Sequence, residues 1–389
     1  MNSKERTIKA VNLEEPDRVP YDLGGTTTTS ITRHAYVRAM EYRQITPEIK
    51  TSDIDPIQQI VIPSNANLDR LHVDTRRMGA LRIPGFSWEK EKDKEHIRVT
   101  DIYGCDWEYF AQKDLYFNQV TYPLDNAELL SDGVQNLNKI DWEWYGRFLE
   151  KALQEQIMDT EDYYLVADRN TAGLTENSLR VRGYENWYMD TVVDPAGMEA
   201  LLERMMEDKI RYWDLVIDWA IQNGRSDHIR VVAEADDLGN QEATIIDPGQ
   251  IRTLVIPRWK KIFQHVKSRL PHVKVFIHSC GAIRELIPDL IDAGMDILNP
   301  VQFTASGMEL KGLKRDFGDV ITFWGGGVDT QQTLNKGTPD QVKDEVKKIL
   351  DIMAPGGGFV FTPVHNIQHD VSPENFWAMW DTLQEYGKY

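Results

Sequence analysis

Cysteine is nearly absent from this sequence, since Cys105 and Cys280 are the only two among 389 residues. Two thiols are too few for a disulfide framework, and they suit a reducing compartment in which a thiol stays free to bind metal. No stretch approaches the roughly 18 consecutive apolar residues of a membrane helix, and the first residues lack the apolar core of a signal peptide. We therefore expect a cytoplasmic protein without a membrane attachment.

Positive charge is also scarce. Lysine and arginine total 44 against 62 acidic residues, which gives a formal net charge of −18. Nonspecific binding to nucleic acid or to an anionic membrane relies on positive charge, so both are disfavoured. The remaining composition, 41% hydrophobic and 27% charged, is typical of a folded globular chain. The expected partners are small molecules or other proteins.

A Gly-x-Gly-x-x-Gly motif after the first strand is missing too, which argues against a dinucleotide-binding sheet. Strand-type runs instead alternate with helical patterns along the chain, and this alternation predicts a parallel sheet buried on both faces. The predicted strands are one following Glu15–Pro20, a possible one at 71–78, and those at 163–168, 229–235, 273–278, 296–298, 320–324 and 359–362. About eight strands favour one closed (β/α)₈ TIM barrel over residues 1–389. The poorly periodic region of about 45–160 is interpreted as an N-terminal insertion over the barrel mouth.

The strand at 273–278 ends in two potential metal ligands, His278 and Cys280. Residues i and i+2 of an extended segment point to the same side, so the imidazole and the thiol project together. Such a pair alone is weak, because a cysteine at a strand end is commonly a buried small hydrophobe. A second apolar strand, from residue 356, leads to His365. If both strands belong to one parallel barrel, the three side chains meet at the same mouth, and we predict a zinc site.

Other strand ends are also polar, as expected for the functional face of a barrel. Glu234, Asp236 and Asp237 follow one strand and are candidate catalytic carboxylates; each could also supply a fourth zinc ligand, or that position could stay open to substrate. The alternative role for Asp236 and Asp237 is hydrogen bonding to a loop at the mouth or to Arg182. Candidate substrate-binding side chains near the mouth are the polar Gln302 and Asn366 and the aromatic Trp187, Tyr188, Phe303 and Trp324. The aromatic residues could instead belong to the core or to a lid.

The hydroxyl-rich run Thr26–Ser30 follows the first predicted strand. It could cap a helix near residues 30–44 or contribute to a substrate site, and capping is the favoured role. Cys105, in Tyr-Gly-Cys-Asp-Trp, is expected to be a core or turn thiol.

From Glu15-Pro-Asp-Arg-Val-Pro20 to Ser372-Pro-Glu-Asn375, the sequence resembles the uroporphyrinogen decarboxylase superfamily. The segment His278-Ser-Cys-Gly281 is similar to the His-x-Cys of the superfamily's zinc-dependent methyltransferases, which work with corrinoid proteins. Those enzymes usually add a later cysteine ligand, and His365 stands in its place here. The resemblance implies zinc, a corrinoid (cobalamin) supplied by a partner protein, and transfer of a methyl group.

The decarboxylases of the superfamily need no metal and hold an acidic porphyrinogen with an arginine-rich N-terminal segment. The corresponding stretch, 21–29, contains no arginine. We therefore expect a zinc-dependent methyltransferase that moves a methyl group from a small O-methyl donor, most plausibly a methoxylated aromatic, to cob(I)alamin. The reverse direction would use zinc to bind an acceptor thiol as its thiolate. A metal-free carboxy-lyase and a binding protein with structural zinc are the alternatives.

Overall fold

The structure is a computed structural model that describes residues 1–112, 115–158 and 160–389. The strands are β1 (Ile31–Thr32), β2 (Ile49–Asp55), β3 (Ile60–Pro63), β4 (Thr75–Gly79), β5 (His96–Thr100), β6 (Asp106–Phe110), β7 (Asn118–Gln119), β8 (Tyr164–Asp168), β9 (Ile229–Ala235), β10 (Lys274–His278), β11 (Ile297–Asn299), β12 (Thr322–Trp324) and β13 (Phe359–Val360). The helices are α1 (Ser3–Val11), α2 (Arg33–Tyr42), α3 (Asn65–Arg70), α4 (Trp88–Glu91), α5 (Leu130–Gly133), α6 (Trp142–Gln156), α7 (Leu174–Arg182), α8 (Tyr184–Val193), α9 (Pro195–Gln222), α10 (Pro248–Gln250), α11 (Ile256–Arg269), α12 (Ile287–Ala293), α13 (Leu310–Phe317), α14 (Thr333–Lys336), α15 (Pro339–Met353) and α16 (Pro373–Tyr386).

A parallel sheet forms the wall of a barrel, in the order β13-β12-β11-β10-β9-β8-β4. The segment 20–22 closes the gap between its two edges. On one side Phe361 N–H donates to the Pro20 carbonyl and Asp22 N–H donates to the Phe361 carbonyl, each over 2.9 Å; on the other side Asp74 N–H donates to the Tyr21 carbonyl over 2.9 Å. The predicted first strand is therefore present as a backbone ladder, and the predicted (β/α)₈ barrel is confirmed.

The barrel interior is filled by alternate residues of neighbouring strands. Tyr164 and Val166 of β8, Phe276 of β10 and Trp324 of β12 belong to this interior cluster. Val11, the last residue of α1, joins it from below, where the Val11 carbonyl accepts a hydrogen bond from the Thr322 hydroxyl at the start of β12. Helix α1 thus covers the N-terminal end of the barrel and leaves the C-terminal end as the mouth.

The region 45–160 carries the antiparallel sheet β5-β6-β7 and the strands β2 and β3, which form a second antiparallel sheet with β1 in the order β1-β3-β2. It also contains the barrel strand β4. Ile54 and Asp55 of β2, together with Gln58, contribute to the wall of a cavity at the mouth. The elaboration over the mouth therefore surrounds one of the barrel strands.

Several helix ends follow from local sequence. Gly294 ends α12 in the left-handed conformation with φ of 116°, which is typical of a glycine that follows a helix. Helix α15 begins with a capping box between Thr338 and Gln341. The N-cap residue of α2 is Thr32, which lies after the run Thr26–Ser30 and makes no side-chain capping bond, so the favoured capping role for Thr26–Ser30 is wrong.

In the part of the chain that the structure describes, helices long and apolar enough to cross a membrane are lacking.

Candidate metal centre

His278 is the last residue of β10, and its side chain faces the inside of the barrel. Phe276, two residues earlier, belongs to the interior cluster, and alternation along the strand puts both side chains on one face. Asp236 N–H donates to the His278 carbonyl over 2.8 Å, and Ser279 N–H donates to the Asn299 carbonyl over 2.7 Å, so the ladder continues past the strand. Cys280, two residues after His278, therefore faces the mouth as well.

His365 supplies a third ligand atom from the loop after β13. One nitrogen of each histidine and the sulfur of Cys280 lie within 4.8 Å of one another. Cys280 Sγ is 3.4 Å from His278 Nε2, and the two imidazole ring centres are 5.3 Å apart. The three side chains that the sequence singled out are brought together at the mouth.

Asn299, at the end of β11, fixes the orientation of the His278 ring. His278 Nδ1 lies 2.5 Å from Asn299 Oδ1, and the Asn299 amide nitrogen donates to the Trp324 carbonyl over 2.5 Å. Because the amide nitrogen is the donor to Trp324, the amide oxygen must accept from His278, and Nδ1 carries the proton. The lone pair of Nε2 is then free on the side of Cys280, as a metal ligand requires.

The turn after Cys280 is held tightly. Gly281 has φ of 88°, and a Cβ at this position would come within 2.4 Å of the backbone of Gly239. Gly281 N–H donates to Gln302 Oε1 over 2.7 Å, and Cys280 N–H donates to Asp237 Oδ1 over 2.8 Å. These contacts set the position of the thiol relative to His278.

Burial controls the protonation of the three candidate ligands. It lowers the pKa of His278 to about 4, and the charge of Arg169 acts in the same direction. Burial, together with neighbouring His278, lowers the pKa of His365 to about 4, while burial raises the pKa of the Cys280 thiol well above its usual value. Both imidazoles are therefore neutral near pH 7, and a cation beside the sulfur would be needed to favour the thiolate. Two neutral imidazoles and one thiol are a donor set that suits zinc.

Of the three candidate carboxylates, Asp237 alone faces the ligand atoms. Its Oδ1 lies 3.6 Å from His278 Nε2, and its side chain keeps 40% of its surface exposed to the cavity. Burial and the charge of Glu176 raise the pKa of Asp237 to about 6. Asp237 is thus the carboxylate in place to supply a fourth ligand or to accept a proton.

Glu234 lies outside the barrel wall, which corrects its expected catalytic role. Ala233 and Ala235 face the interior and the cavity, so the residue between them must point outwards to the helices. The Glu234 carboxylate accepts from Lys209 Nζ over 2.7 Å and from Trp213 Nε1 over 2.8 Å, both on α9. Its oxygens are used in a buried ion pair.

Asp236 also points outwards, and the same correction applies to it. Its carboxylate accepts from the backbone N–H groups of Thr175 and Glu176 at the start of α7, and from Trp259 Nε1 over 3.0 Å. This is the alternative that the sequence left open, hydrogen bonding to a segment at the mouth. Asp236 positions the helix that carries Glu176 and Arg180.

Trp187 and Trp324, two of the candidate substrate-binding residues, do not line the cavity at the mouth. Trp324 is fully buried one layer below His278, with its Nε1 donating to Asp22 over 2.7 Å. Trp187 is fully buried on α8, where its Nε1 donates to Ser178. Tyr188 stacks edge-on against Trp187 with 42% of its surface exposed, and half-buried Phe303 packs on the main core.

The two candidate polar contacts act on the backbone instead of lining the cavity. Gln302 accepts from Gly281, as described above, and is 5% exposed. Asn366 accepts from Ser30 N–H over 2.8 Å and donates to the Thr27 carbonyl over 2.9 Å. Asn366 therefore ties the loop that carries His365 to the threonine-rich segment.

A small cavity of about 70 Å³ opens beside the ligand atoms, and both histidines contribute to its wall. Sequence reasoning missed most of its charged lining, which consists of Asp55, Arg82, Arg169, Glu176, Arg180 and Asp237. Thr27 and Thr28 also line it, so the second role considered for the threonine run, a part in a substrate site, fits their position. The cavity is a polar, charged space next to the candidate metal ligands.

Comparison with known proteins agrees with this architecture. The family model described as uroporphyrinogen decarboxylase (URO-D) matches residues 174–386, which is more than half of the chain. The chain belongs to this family. The matched region begins at α7 and includes β9 to β13, so it contains all three candidate metal ligands of this chain.

Named relatives fall into two groups. A uroporphyrinogen decarboxylase from Chlorobium luteolum is 24% identical over 250 residues, which cover 61% of this chain and 68% of that protein. The methylcobamide:CoM methyltransferase MtaA from Methanosarcina barkeri is 27% identical over 143 residues, covering 36% of this chain and 39% of that protein. The solved structure of a methyltransferase from Methanosarcina mazei matches over 99% of this chain and 99% of that chain, with a TM-score of 0.64. At 18% identity this match shows a similar fold. The chain is thus a member of an enzyme superfamily whose decarboxylase and methyltransferase branches both resemble it.

Proposed function

We propose that this URO-D family member is a zinc-dependent methyltransferase that moves a methyl group from a small O-methyl donor to the cob(I)alamin of a partner corrinoid protein. The observation that carries the proposal is the convergence of His278, Cys280 and His365, whose ligand atoms lie within 4.8 Å of one another. The resemblance to MtaA, named methylcobamide:CoM methyltransferase, supports methyl transfer that involves a corrinoid, the coarser part of this proposal. The candidate ligands belong to strand ends at the barrel mouth, where enzymes of this architecture work.

The chain's own residues would prepare the site in three ways. His278 and His365 would offer neutral nitrogens, and Asn299 would keep the ring of His278 in the tautomer with a free Nε2. The turn at Gly281 would hold the Cys280 thiol 3.4 Å from that nitrogen. Zinc bound there would act as a Lewis acid on the oxygen of the donor and make it a better leaving group. Asp237 would either complete the ligand set or, in its protonated form, donate a proton to the departing oxygen of the donor.

The sequence favours a methoxylated aromatic donor, but the lining of the cavity gives the aromatic ring little support. Trp187 and Trp324, two of the candidate substrate-binding residues, are buried elsewhere, and the charged lining favours a polar molecule. The proposal therefore requires a small O-methyl donor but no aromatic ring.

Decarboxylation is the second candidate, and two observations favour it. The Chlorobium relative matched over 250 residues is named a uroporphyrinogen decarboxylase, and the cavity contains arginines of the kind that bind carboxylates. Against it, a cavity of about 70 Å³ is small for a tetrapyrrole, since sites for drug-sized ligands have volumes of about 300–1,000 Å³.

One assay separates the two candidates. The zinc-loaded protein is incubated with a reduced corrinoid protein and a panel of small O-methyl compounds, and the absorbance change from cob(I)alamin to methylcobalamin is followed. We expect methylcobalamin with at least one donor, and no turnover by the Cys280→Ala variant. Carbon dioxide release from a tetrapyrrole acid, without methylcobalamin from any donor, would support the decarboxylase instead.

A further inference from the structure

Arg169 follows the last residue of β8 and contributes to the wall of the cavity beside the candidate metal ligands. Its side chain is 11% exposed, and its Nη1 atom is buried without a hydrogen-bond partner among the described residues. The closest carboxylate oxygen in an ion pair with it is Asp168 Oδ1, at 3.6 Å, which is too long for a hydrogen bond. Burying a guanidinium nitrogen without a hydrogen-bond acceptor lowers the stability of the fold. A bound ligand that accepts a hydrogen bond from this nitrogen would remove the cost.

The neighbouring arginines are already paired. Arg82 lies 2.7 Å from Asp55, and Arg180 lies 3.2 Å from Glu176. The other oxygen of Asp168, Oδ2, accepts hydrogen bonds from Arg77 Nε over 2.8 Å and from the Thr27 backbone N–H over 3.0 Å. Of the arginines that line the cavity, Arg169 therefore has the weakest carboxylate partner.

Arg169 and the candidate metal centre line the same cavity. His278, His365 and Arg169 all contribute to its wall, together with Thr27 and Thr28. The cation and the two histidines thus share one small space. A ligand that fills this space can touch Arg169 at one end and the candidate metal ligands at the other.

We propose that Arg169 forms an anion subsite, and that the methyl donor is a small molecule bearing a carboxylate close to the group that reacts. A carboxylate accepts two parallel N–H donors from a guanidinium, which fixes the direction of the donor as well as its charge. The role of this molecule as a methyl donor rests on the proposed function, whereas its binding through Arg169 does not.

Calorimetric titration of the zinc-loaded protein with a matched pair of probes tests the subsite. Methoxyacetate carries the carboxylate, and 2-methoxyethanol is its neutral counterpart. We expect methoxyacetate to bind at least about tenfold more tightly, and Arg169→Gln to remove most of this preference. The Arg147→Gln variant is the control, because Arg147 is 64% exposed on α6 and pairs with Glu143 on the surface. Its preference should equal that of the wild type.

A carboxylate can also bind zinc directly, so the titration is repeated after chelation of the metal. The preference should persist, because Arg169 remains in place. Preference lost on chelation, or retained in Arg169→Gln, would overturn the subsite, as would tighter binding of inorganic phosphate than of methoxyacetate. A lower melting temperature of Arg169→Gln, with unchanged affinities for both probes, would show that Arg169 only stabilises the fold through Asp168 and would overturn the subsite. If the preference holds but corrinoid methylation fails, the proposed function is wrong and the subsite stands.

Discussion

Asn299 and His278 are joined by a hydrogen bond of 2.5 Å between the side-chain amide oxygen and Nδ1 of the imidazole. The two residues end neighbouring parallel strands and are paired directly across the sheet. Because Asn299 also donates to the Trp324 carbonyl, its amide cannot turn over without losing both contacts. The rigid barrel wall thus sets which nitrogen of His278 faces the candidate metal site.

Replacing Asn299 by alanine should weaken zinc binding by about 10- to 100-fold, the usual cost of losing the partner of a metal-bound histidine. Competition with a chromophoric chelator measures the affinity. Asn186→Ala is the control, since Asn186 is half-buried on α8 and its side chain contacts Asp125 instead of a candidate metal ligand. Equal affinities for zinc in both variants and the wild type would contradict the orienting role of Asn299.

Substitution of Asp237 should affect mainly turnover, whereas substitution of Glu234 should affect mainly stability. Asp237→Asn keeps the oxygen that accepts from Cys280 N–H but removes the charge beside His278, so turnover should fall about tenfold or more with little change in stability. Glu234→Gln leaves the charge of Lys209 without its buried counter-charge and should lower the free energy of unfolding by about 3 kcal/mol. Parallel urea denaturation and turnover measurements check this. Equal effects of both variants on stability and rate would contradict it.

Asp208 gives a pH dependence of stability away from the site. Burial raises its pKa to about 6, against the opposing charge of Arg204. The folded state therefore holds the proton more tightly than the unfolded state, and the stability contributed by Asp208 falls as the pH rises from about 4 to 6. The neutral Asp208→Asn variant should gain on the order of 2 kcal/mol relative to the wild type across this range. Urea denaturation at several pH values measures the difference; a constant difference would contradict the prediction.

Removal of zinc should leave the barrel folded. His278, Cys280 and His365 lie outside the two hydrophobic clusters that form the core of the described residues, so chelation should abolish methyl transfer while far-ultraviolet circular dichroism keeps its helical signal. The melting temperature should fall only by the linkage contribution of the bound ion. Unfolding on chelation would indicate a structural zinc.

The parts of the fold and site that follow short-range rules could be predicted from sequence. His278 and Cys280 share a face because they are two residues apart in an extended segment, and His365 joins them because parallel strands end at one mouth. The same alternation places Glu234 and Asp236 on the face opposite to Asp237, so the sequence itself carries the signal that separates these carboxylates.

Other features depend on contacts between distant parts of the chain. Arg169 stands out only in the folded chain, where its Nη1 lacks a hydrogen-bond partner among the described residues while Arg82 is paired with Asp55. The end of a strand predicts a position at the mouth for Trp324, whereas its indole packs edge-on against Phe276 in the interior cluster and donates to Asp22. Strand β4 has a weak sequence signal because irregular segments surround it, although its pairing with β8 is regular.

The most direct test of the central claim is the zinc content of the purified protein and of its two single-cysteine variants. Cys105 is the matched control, because it is fully buried, its thiol contacts the Arg180 carbonyl, and it is not among the side chains whose ligand atoms converge. Elemental analysis should give one zinc per chain for the wild type and Cys105→Ala, and well below one for Cys280→Ala. Full occupancy in Cys280→Ala, or no zinc in the wild type after growth with the metal, would contradict the proposed site.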